Sequence, residues 1–281
     1  MSHLIVLSHV QAQPLLAAHT RALTATTVSL DLNRTETEVA LTPAGAVLPG
    51  VQTLPWEIVE IIAEDHAVCY QIEGGEAYKI QFFSEELNRV YTLYPTLAAP
   101  TMLISGLPMH RIKGTDPYRD TKEKIKAARP AGRVLDTAMG LGYTAIQAAE
   151  VADSVLTIEL DPVVEEVCRL NPWSQALFGN PKIERRLGDA FDVVETVADG
   201  EFNRVIHDPP MFSLAGHLYS QAFYEELHRV LSDRGRLFHY IGDLKSKSGA
   251  GVARGVRQRL VAAGFQRVVD RPRAFGVVAY K

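Results

Sequence analysis

The sequence predicts an α/β protein: a doubly wound, mostly parallel seven-stranded sheet in the second half, preceded by a small β-rich α+β domain. Three observations carry this. From Arg133 onward, short apolar runs alternate with stretches of helical periodicity, the pattern of a parallel sheet with helices between its strands. The last two strands are joined only by Arg271-Pro272-Arg273, too short for a parallel crossover of about a dozen residues, so they run antiparallel. Before residue 105, period-two alternation dominates instead.

With 281 residues, 47% apolar, 22% charged and a formal charge of −4, the chain is an ordinary globular protein with room for two cores. Collagenous, disordered and disulfide-scaffold classes are excluded. Cys69 and Cys168 lie far apart with no CxxC spacing, which argues against a thiolate metal site and for a reducing cytoplasm. The opening apolar run, Leu4 to Leu7, follows no basic segment, and no later run has the length of a membrane span. Neither a signal peptide nor a transmembrane helix is expected.

Taken in order, residues 1–105 form the small domain. A helix is expected within Val10 to Leu23, confined to one side of Pro14. Thr27 to Leu32 and Thr37 to Leu41 alternate about a turn centred on Asn33, and Ala67 to Ile72 and Tyr78 to Phe83 flank the hairpin turn Glu73-Gly74-Gly75-Glu76. Between them a helix begins at Pro55 and places Trp56, Val59, Ile62 and Ala63 on one face. Residues 106–132 are a basic connector with a helical stretch from Asp120 to Ala128. In the remaining domain, 133–281, strands are expected at 133–137, 154–160, 182–187, 203–207 and 235–241. Helices are expected near 143–152, 162–170, 190–198 and 220–231. A last helix, Ala250 to Ala263, stops at Gly264, and the strands Gln266 to Asp270 and Ala274 to Ala279 close the chain.

Charge is segregated: residues 1–105 sum to −7, 106–133 to +5, 134–232 to −10 and 233–281 to +8. Two basic segments brought together would present a face to a polyanion; the alternative is a solvated face of amphipathic helices.

In an open α/β sheet, ligands bind beyond the carboxyl ends of the strands. The first strand ends at Asp136 and leads through Thr137, Ala138 and Met139 to Gly140-Leu141-Gly142 before a helix. Ala138 and Tyr143 break a dinucleotide fingerprint. The second strand ends at Glu159, nineteen residues after Gly140, where a carboxylate is placed to hold a ribose. The third is followed by Gly188-Asp189-Ala190, and the fourth ends in His207-Asp208-Pro209-Pro210-Met211-Phe212. Asp161 and Asp189 also read as helix caps, but acids at four successive strand ends are harder to attribute to capping.

This constellation resembles the class I S-adenosylmethionine-dependent methyltransferases over residues 133–281, and more closely a poorly characterised, mainly archaeal group of predicted methyltransferases. The second likeness rests on the runs Gly106 to Arg111, Leu135 to Thr137, Gly140 to Thr144, Asn171 to Ser174, His207 to Pro210 and His239-Tyr240. The resemblance implies a Rossmann-like seven-stranded methyltransferase sheet with an antiparallel last strand, and S-adenosylmethionine as cofactor. Its cofactor set would be Asp136, Thr137, Ala138, Gly140, Gly142, Tyr143, Thr144, Glu159, Leu160, Gly188, Asp189, Ala190 and Asp208. Within it, Glu159 would grip the ribose and Asp189 the adenine amino group. Ala138 stands where the first loop glycine is usual.

Asp208-Pro209-Pro210 resembles the Asp/Asn-Pro-Pro-aromatic motif of enzymes that methylate exocyclic amino groups. A carboxylate and a proline carbonyl accept the two N–H bonds of the amine, and Phe212 would stack on an extruded base. Met211 departs from the aromatic expected at that position. The catalytic set is therefore Asp208, Pro209 and Phe212, and no metal spacing such as HExxH occurs. The other reading of the diproline is a rigid strand exit. His110, His207, His239, Tyr143 and Trp173 are candidates to line the substrate cleft, with His207 placed by alternation as a buried hydrogen-bonded partner. The function expected is N-methylation of a cytosine or adenine amino group in RNA. The alternatives are a polyamine aminopropyltransferase acting on a small amine with decarboxylated cofactor, and an RNA-binding protein with a vestigial cofactor site.

Overall fold

A computed structural model describes residues 4–50, 52–244 and 246–281. The chain divides into two compact units, Met1–Tyr118 with Val163–Gln175, and Arg119–Pro162 with Ala176–Lys281.

The first unit packs the helices His9–Thr20 and Trp56–Glu64 with three small antiparallel sheets. Leu15, Leu54, Val59 and Ile62 are among its fully buried side chains. Ser8 and Gln11 form a reciprocal capping box at the start of the first helix. Contrary to expectation, Pro14 lies inside that helix. It sits on the exposed face, opposite the buried Ala12, Leu15 and Ala18, where water can satisfy the carbonyl that a proline leaves without its intrahelical donor.

The Gly74-Gly75 turn joins Tyr70–Glu73 to Glu76–Lys79. Both glycines have positive φ, 61° and 85°, as a twist-matched two-residue hairpin requires. The strand expected over Tyr78 to Phe83 is divided: Glu76–Lys79 and Gln81–Ser84 belong to different sheets, and Ile80 between them is fully buried. The turn expected at Asn33 is a longer loop between Ala25–Val28 and Thr37–Thr42. Asp31 accepts from the Arg34 and Thr35 backbone and from the hydroxyls of Ser29 and Thr35.

The second unit contains the strands β1 (Arg133–Asp136), β2 (Ser154–Glu159), β3 (Ile183–Leu187), β4 (Phe202–His207), β5 (Leu231–Tyr240), β6 (Arg267–Arg271) and β7 (Gly276–Tyr280). Their order is β3-β2-β1-β4-β5-β7-β6. Strands β1 to β5 are parallel neighbours, and β7 runs antiparallel to both β5 and β6. This is the Rossmann-like seven-stranded sheet of methyltransferase type. In β1 and β2 the runs Val134-Leu135 and Val155 to Ile158 are buried, because helices cover both faces of a parallel sheet.

The remaining helices are α1 (Pro117–Ala128), α2 (Tyr143–Ala149), α3 (Pro162–Leu170), α4 (Ala176–Gly179), α5 (Ala190–Glu195), α6 (Gln221–Val230) and α7 (Lys247–Ala262); from Val163 onward α3 belongs to the first unit. Helix α1 begins at Pro117, three residues before the expected start, and α7 begins at Lys247. Gly264, at φ 103°, ends α7. The Phe265 N–H returns to Leu260 O and the Gly264 N–H to Val261 O, the double bond of a Schellman cap. Among the described residues, no helix is long and apolar enough to cross a membrane.

Candidate functional site

Because β1 to β4 are parallel, their carboxyl ends lie along one edge of the sheet, and the polar residues expected from the sequence fall on that edge. Asp136, at the end of β1, is fully buried. Its Oδ2 accepts from the Thr157 hydroxyl at 2.9 Å and the Thr144 hydroxyl at 3.0 Å, while Oδ1 has no hydrogen-bond partner. Burial pushes its pKa up to about 8, against the pull of the two threonines. A buried acceptor left open is costly unless something occupies it.

The turn after Asp136 is tightly specified. The Met139 N–H donates to Ile158 O and the Gly142 N–H to Met139 O, both at 2.7 Å. Gly142, at φ 75°, is the N-cap of α2, and a Cβ there would stand 2.2 Å from the Leu177 side chain. Only glycine fits. Tyr143 and Thr144 are buried in the first turn of α2, whereas Ala138 is partly exposed.

Glu159 is half-buried. Its Oε2 accepts the Gly140 N–H at 2.9 Å, and Oε1 accepts the Leu160 and Asp161 N–H groups at 2.9 and 3.2 Å. Desolvation raises its pKa to about 7 against these three donors. A carboxylate offers about four acceptor positions, so the side chain that ties the glycine turn to β2 retains one for a ligand. Leu160 and Leu187 are exposed beside it. Gly188 closes the edge by donating its N–H to Glu159 O at 2.8 Å. Asp189 caps α5 through Oδ1, which accepts the Phe191 N–H at 2.8 Å, with Ala190 buried in the first turn. Its Oδ2 is paired with His217 at 2.9 Å, a partner the sequence did not suggest.

The end of β4 differs most from expectation. Asp208 Oδ2 is 2.6 Å from the Nζ of Lys124 on α1. Lys124 is 2% exposed, lies 3.1 Å from Asp120 and has its Nζ 4.4 Å from the Tyr240 ring centroid. Burial raises the Asp208 carboxyl while Lys124 pulls it back, and the two acids hold Lys124 above the ordinary lysine range. Pro209 is buried; the Pro210 carbonyl accepts the Tyr219 hydroxyl at 3.0 Å. Phe212 is 54% exposed and meets Tyr219 edge-on at 5.4 Å.

His207 and His239 are fully buried. The carbonyl of Leu218 can only accept, so His207 donates through Nε2 and its Nδ1 accepts the Thr137 hydroxyl at 2.7 Å. In the same way His239 donates through Nδ1 to His207 O and accepts the Tyr224 hydroxyl. Burial pushes His207 down to about 3 and His239 well below its ordinary value. Both are neutral framework groups joining β4 to β5. In the first unit, the Trp173 indole donates to Leu32 O, Arg34 donates to Pro172 O, and His110 Nδ1 pairs with Thr101. The Asn171-Pro172-Trp173-Ser174 run is therefore built into that unit's framework.

Several residues of the basic C-terminal segment are engaged with the protein itself. Arg236 donates to the Ala128 and Arg129 carbonyls at the end of α1, and Arg204 of β4 joins it on Arg129 O. Arg259 donates to Tyr219 O, Arg257 pairs with Asp270, and Lys281 donates to Leu231 O. Among the described residues, no group of three or more His, Cys, Asp or Glu is placed to hold a metal.

No protein-family model matches the chain. It is 44% identical over 268 residues to the uncharacterized protein MJ1233 of Methanocaldococcus jannaschii, covering 90% of this chain and 88% of that one. It is also 29% identical over 171 residues to polyamine aminopropyltransferase 2 of Streptomyces coelicolor, covering 57% of this chain and 30% of the relative. Among solved structures, spermidine synthase in complex with the transition-state analogue AdoDATO matches at a TM-score of 0.57 and 15% identity over 71% of each chain. Spermidine synthase from Thermotoga maritima matches at 0.55 and 15%, over 71% of this chain and 70% of that one. At such identity these two structures show the fold alone. The chain therefore belongs to the family of the M. jannaschii protein MJ1233, built on a fold it shares with spermidine synthases.

Proposed function

We propose that the second unit binds a sulfonium nucleoside of the S-adenosylmethionine type and transfers its methyl group to an amino nitrogen held at Asp208 and Pro209. The observation that carries this reading is the Asp136 carboxylate, fully buried beside the Gly140 to Gly142 turn with Oδ1 unpartnered. A bound ammonium, such as the amino group of a methionine moiety, would pair with this oxygen and draw the carboxyl into its ionised form. The last acceptor position of Glu159 suits a ribose hydroxyl, and Asp189 an adenine amino group. The sulfonium is the leaving group that the cofactor supplies. An acceptor that arrives as an ammonium first gives one proton to solvent to expose its lone pair; that pair would form the N–C bond, the C–S pair would return to sulfur, and the product would be left as the methylated ammonium. The chain's own work is positioning and exclusion of water.

The acceptor favoured is a small cationic amine. Asp120 and Asp208 outnumber Lys124 at this edge, which attracts cations and repels phosphates. The RNA base suggested by charge segregation is less favoured, because Arg236, Arg257, Arg259 and Lys281 of the C-terminal basic segment are bonded within the protein. A second reading, aminopropyl transfer from decarboxylated S-adenosylmethionine, draws on the same acid excess and on the partial match to polyamine aminopropyltransferase 2. His207, Pro209 and Pro210 beside Asp208 are not the further acids such a site would use.

Calorimetric titration with S-adenosylmethionine and with its decarboxylated form, alongside an Asp136→Ala control, tests the reading. Binding of the intact cofactor that is lost in the control is expected. Preference for the decarboxylated form moves the assignment to aminopropyl transfer. Binding of neither leaves a vestigial site and overturns both.

A further inference from the structure

Lys124 is a buried charged residue at this edge that the reaction above does not use. It follows Asp120 by one turn of α1, and that ion pair alone would neutralise it. Yet the shorter contact, 2.6 Å, crosses 84 positions of sequence to Asp208 at the end of β4. The helix is also held in register. Arg204 of β4 and Arg236 of β5 donate to the Ala128 and Arg129 carbonyls at its last turn, satisfying groups a helix end leaves open. Tyr240, at the end of β5, covers the ammonium with its ring. A carboxylate bonded through one oxygen to a fixed ammonium cannot turn about its own axis without breaking that bond. Among the described residues no hydrogen bond engages Asp208 Oδ1.

We propose, on the reading above, that Lys124 is a positioning residue for the acceptor amine: by binding Asp208 Oδ2 it fixes the carboxylate and leaves Oδ1 to receive one N–H, with the Pro209 carbonyl for the second. Asp120 holds Lys124 in turn. The lone pair of an amine so held is directed away from both acceptors, toward the alkyl donor.

The test compares wild type with Lys124→Met, Lys124→Arg and the double variant Asp120→Asn/Lys124→Met, which also removes one buried acid and lowers the cost of folding. The first readout needs no turnover: a carboxyl-carbon NMR titration in which the Asp208 signal is assigned by its loss in Asp208→Asn. The Asp208 titration is expected to move upward by about one unit or more in both Met variants and to stay near wild type in Lys124→Arg. The second readout is kinetic, with putrescine as the probe amine. KM for the amine is expected to rise about tenfold or more in the Met variants, with the acid limb of kcat/KM shifted upward and cofactor affinity within about twofold of wild type. An unmoved Asp208 titration, or a fall in kcat with KM for the amine unchanged, overturns the proposal. Absence of cofactor binding in wild type with the titration shift intact strikes the functional reading and not the Lys124–Asp208 coupling.

Discussion

Gly140 and Glu159, nineteen residues apart, are joined by a 2.9 Å hydrogen bond from the glycine N–H to Oε2. The side chain expected to grip a ribose is thus also the clamp of the glycine turn. A glutamine cannot reproduce it, because its amide has one acceptor oxygen and Glu159 accepts three N–H groups through two. Glu159→Gln is expected to weaken cofactor binding nearly as much as Glu159→Ala, by about tenfold or more. It should also speed hydrogen exchange at the Gly140 amide. Unchanged exchange would reduce Glu159 to a ligand contact alone.

Asp136 makes stability depend on pH in a definite direction. Its pKa is pushed up to about 8 in the folded protein, far above an unfolded carboxylate, so between roughly pH 4 and 8 the native state holds a proton that the unfolded chain has lost. Stability therefore falls as pH rises through this window, by up to about 1.4 kcal/mol per unit. Glu159, half-titrated at about 7, acts with the same sign and fades by about pH 8. His207, depressed to about 3, acts oppositely and only below its unfolded value near 6.5. Denaturant titrations at pH 7 and 8 on wild type and Asp136→Asn separate Asp136 from Glu159: wild type should lose stability over that interval, and Asp136→Asn should lose markedly less.

The strand ends were legible because a parallel strand covered on both faces writes a continuous apolar run, and an acid closing it stands out. Asp136, Glu159 and Asp208 were found in this way, and the short link at residues 271–273 disclosed the final antiparallel pair. Lys124 was not found, because nothing in local spacing joins it to Asp208. The signal that existed was the buried stripe of α1, Asp120, Thr121, Lys124 and Ala128, where two charged residues stand at core positions of an amphipathic helix and call for partners. In the first unit, four-residue strands such as Gln52–Pro55 are too short and too polar to show a period, and Pro14 suggested a shorter helix than the one observed, whose capping box was present in the sequence.

The pair His217 and Asp189 yields a prediction of unusual sign. On the proposed reading Asp189 receives an adenine amino group, and His217 already occupies Oδ2 at 2.9 Å while its own side chain is half-exposed. An adenine amino group that approaches Oδ2 from the side His217 occupies competes, on that reading, with the histidine for it. His217→Ala should therefore tighten cofactor binding by about fivefold, the equivalent of one competing hydrogen bond, whereas Asp189→Ala should weaken it. Calorimetry on both variants checks this, and equal weakening would make His217 a supporting group.

Gly142 tests whether the turn or the helix behind it sets the position of the cofactor edge. A methyl group there meets a left-handed backbone at φ 75° and three carbons of Leu177 between 2.2 and 2.6 Å. The backbone costs about 1–2 kcal/mol for a non-glycine residue, and overpacking adds about 1–3 kcal/mol. Gly142→Ala should lower stability by that sum in denaturant titration. Pairing it with Leu177→Ala removes the clash but not the backbone strain. The double variant should therefore recover the packing part, offset by the cavity left where the rest of Leu177 stood. If the double variant regains stability without cofactor affinity, the left-handed turn carries the binding; if both return together, the contact with α4 was the limiting feature.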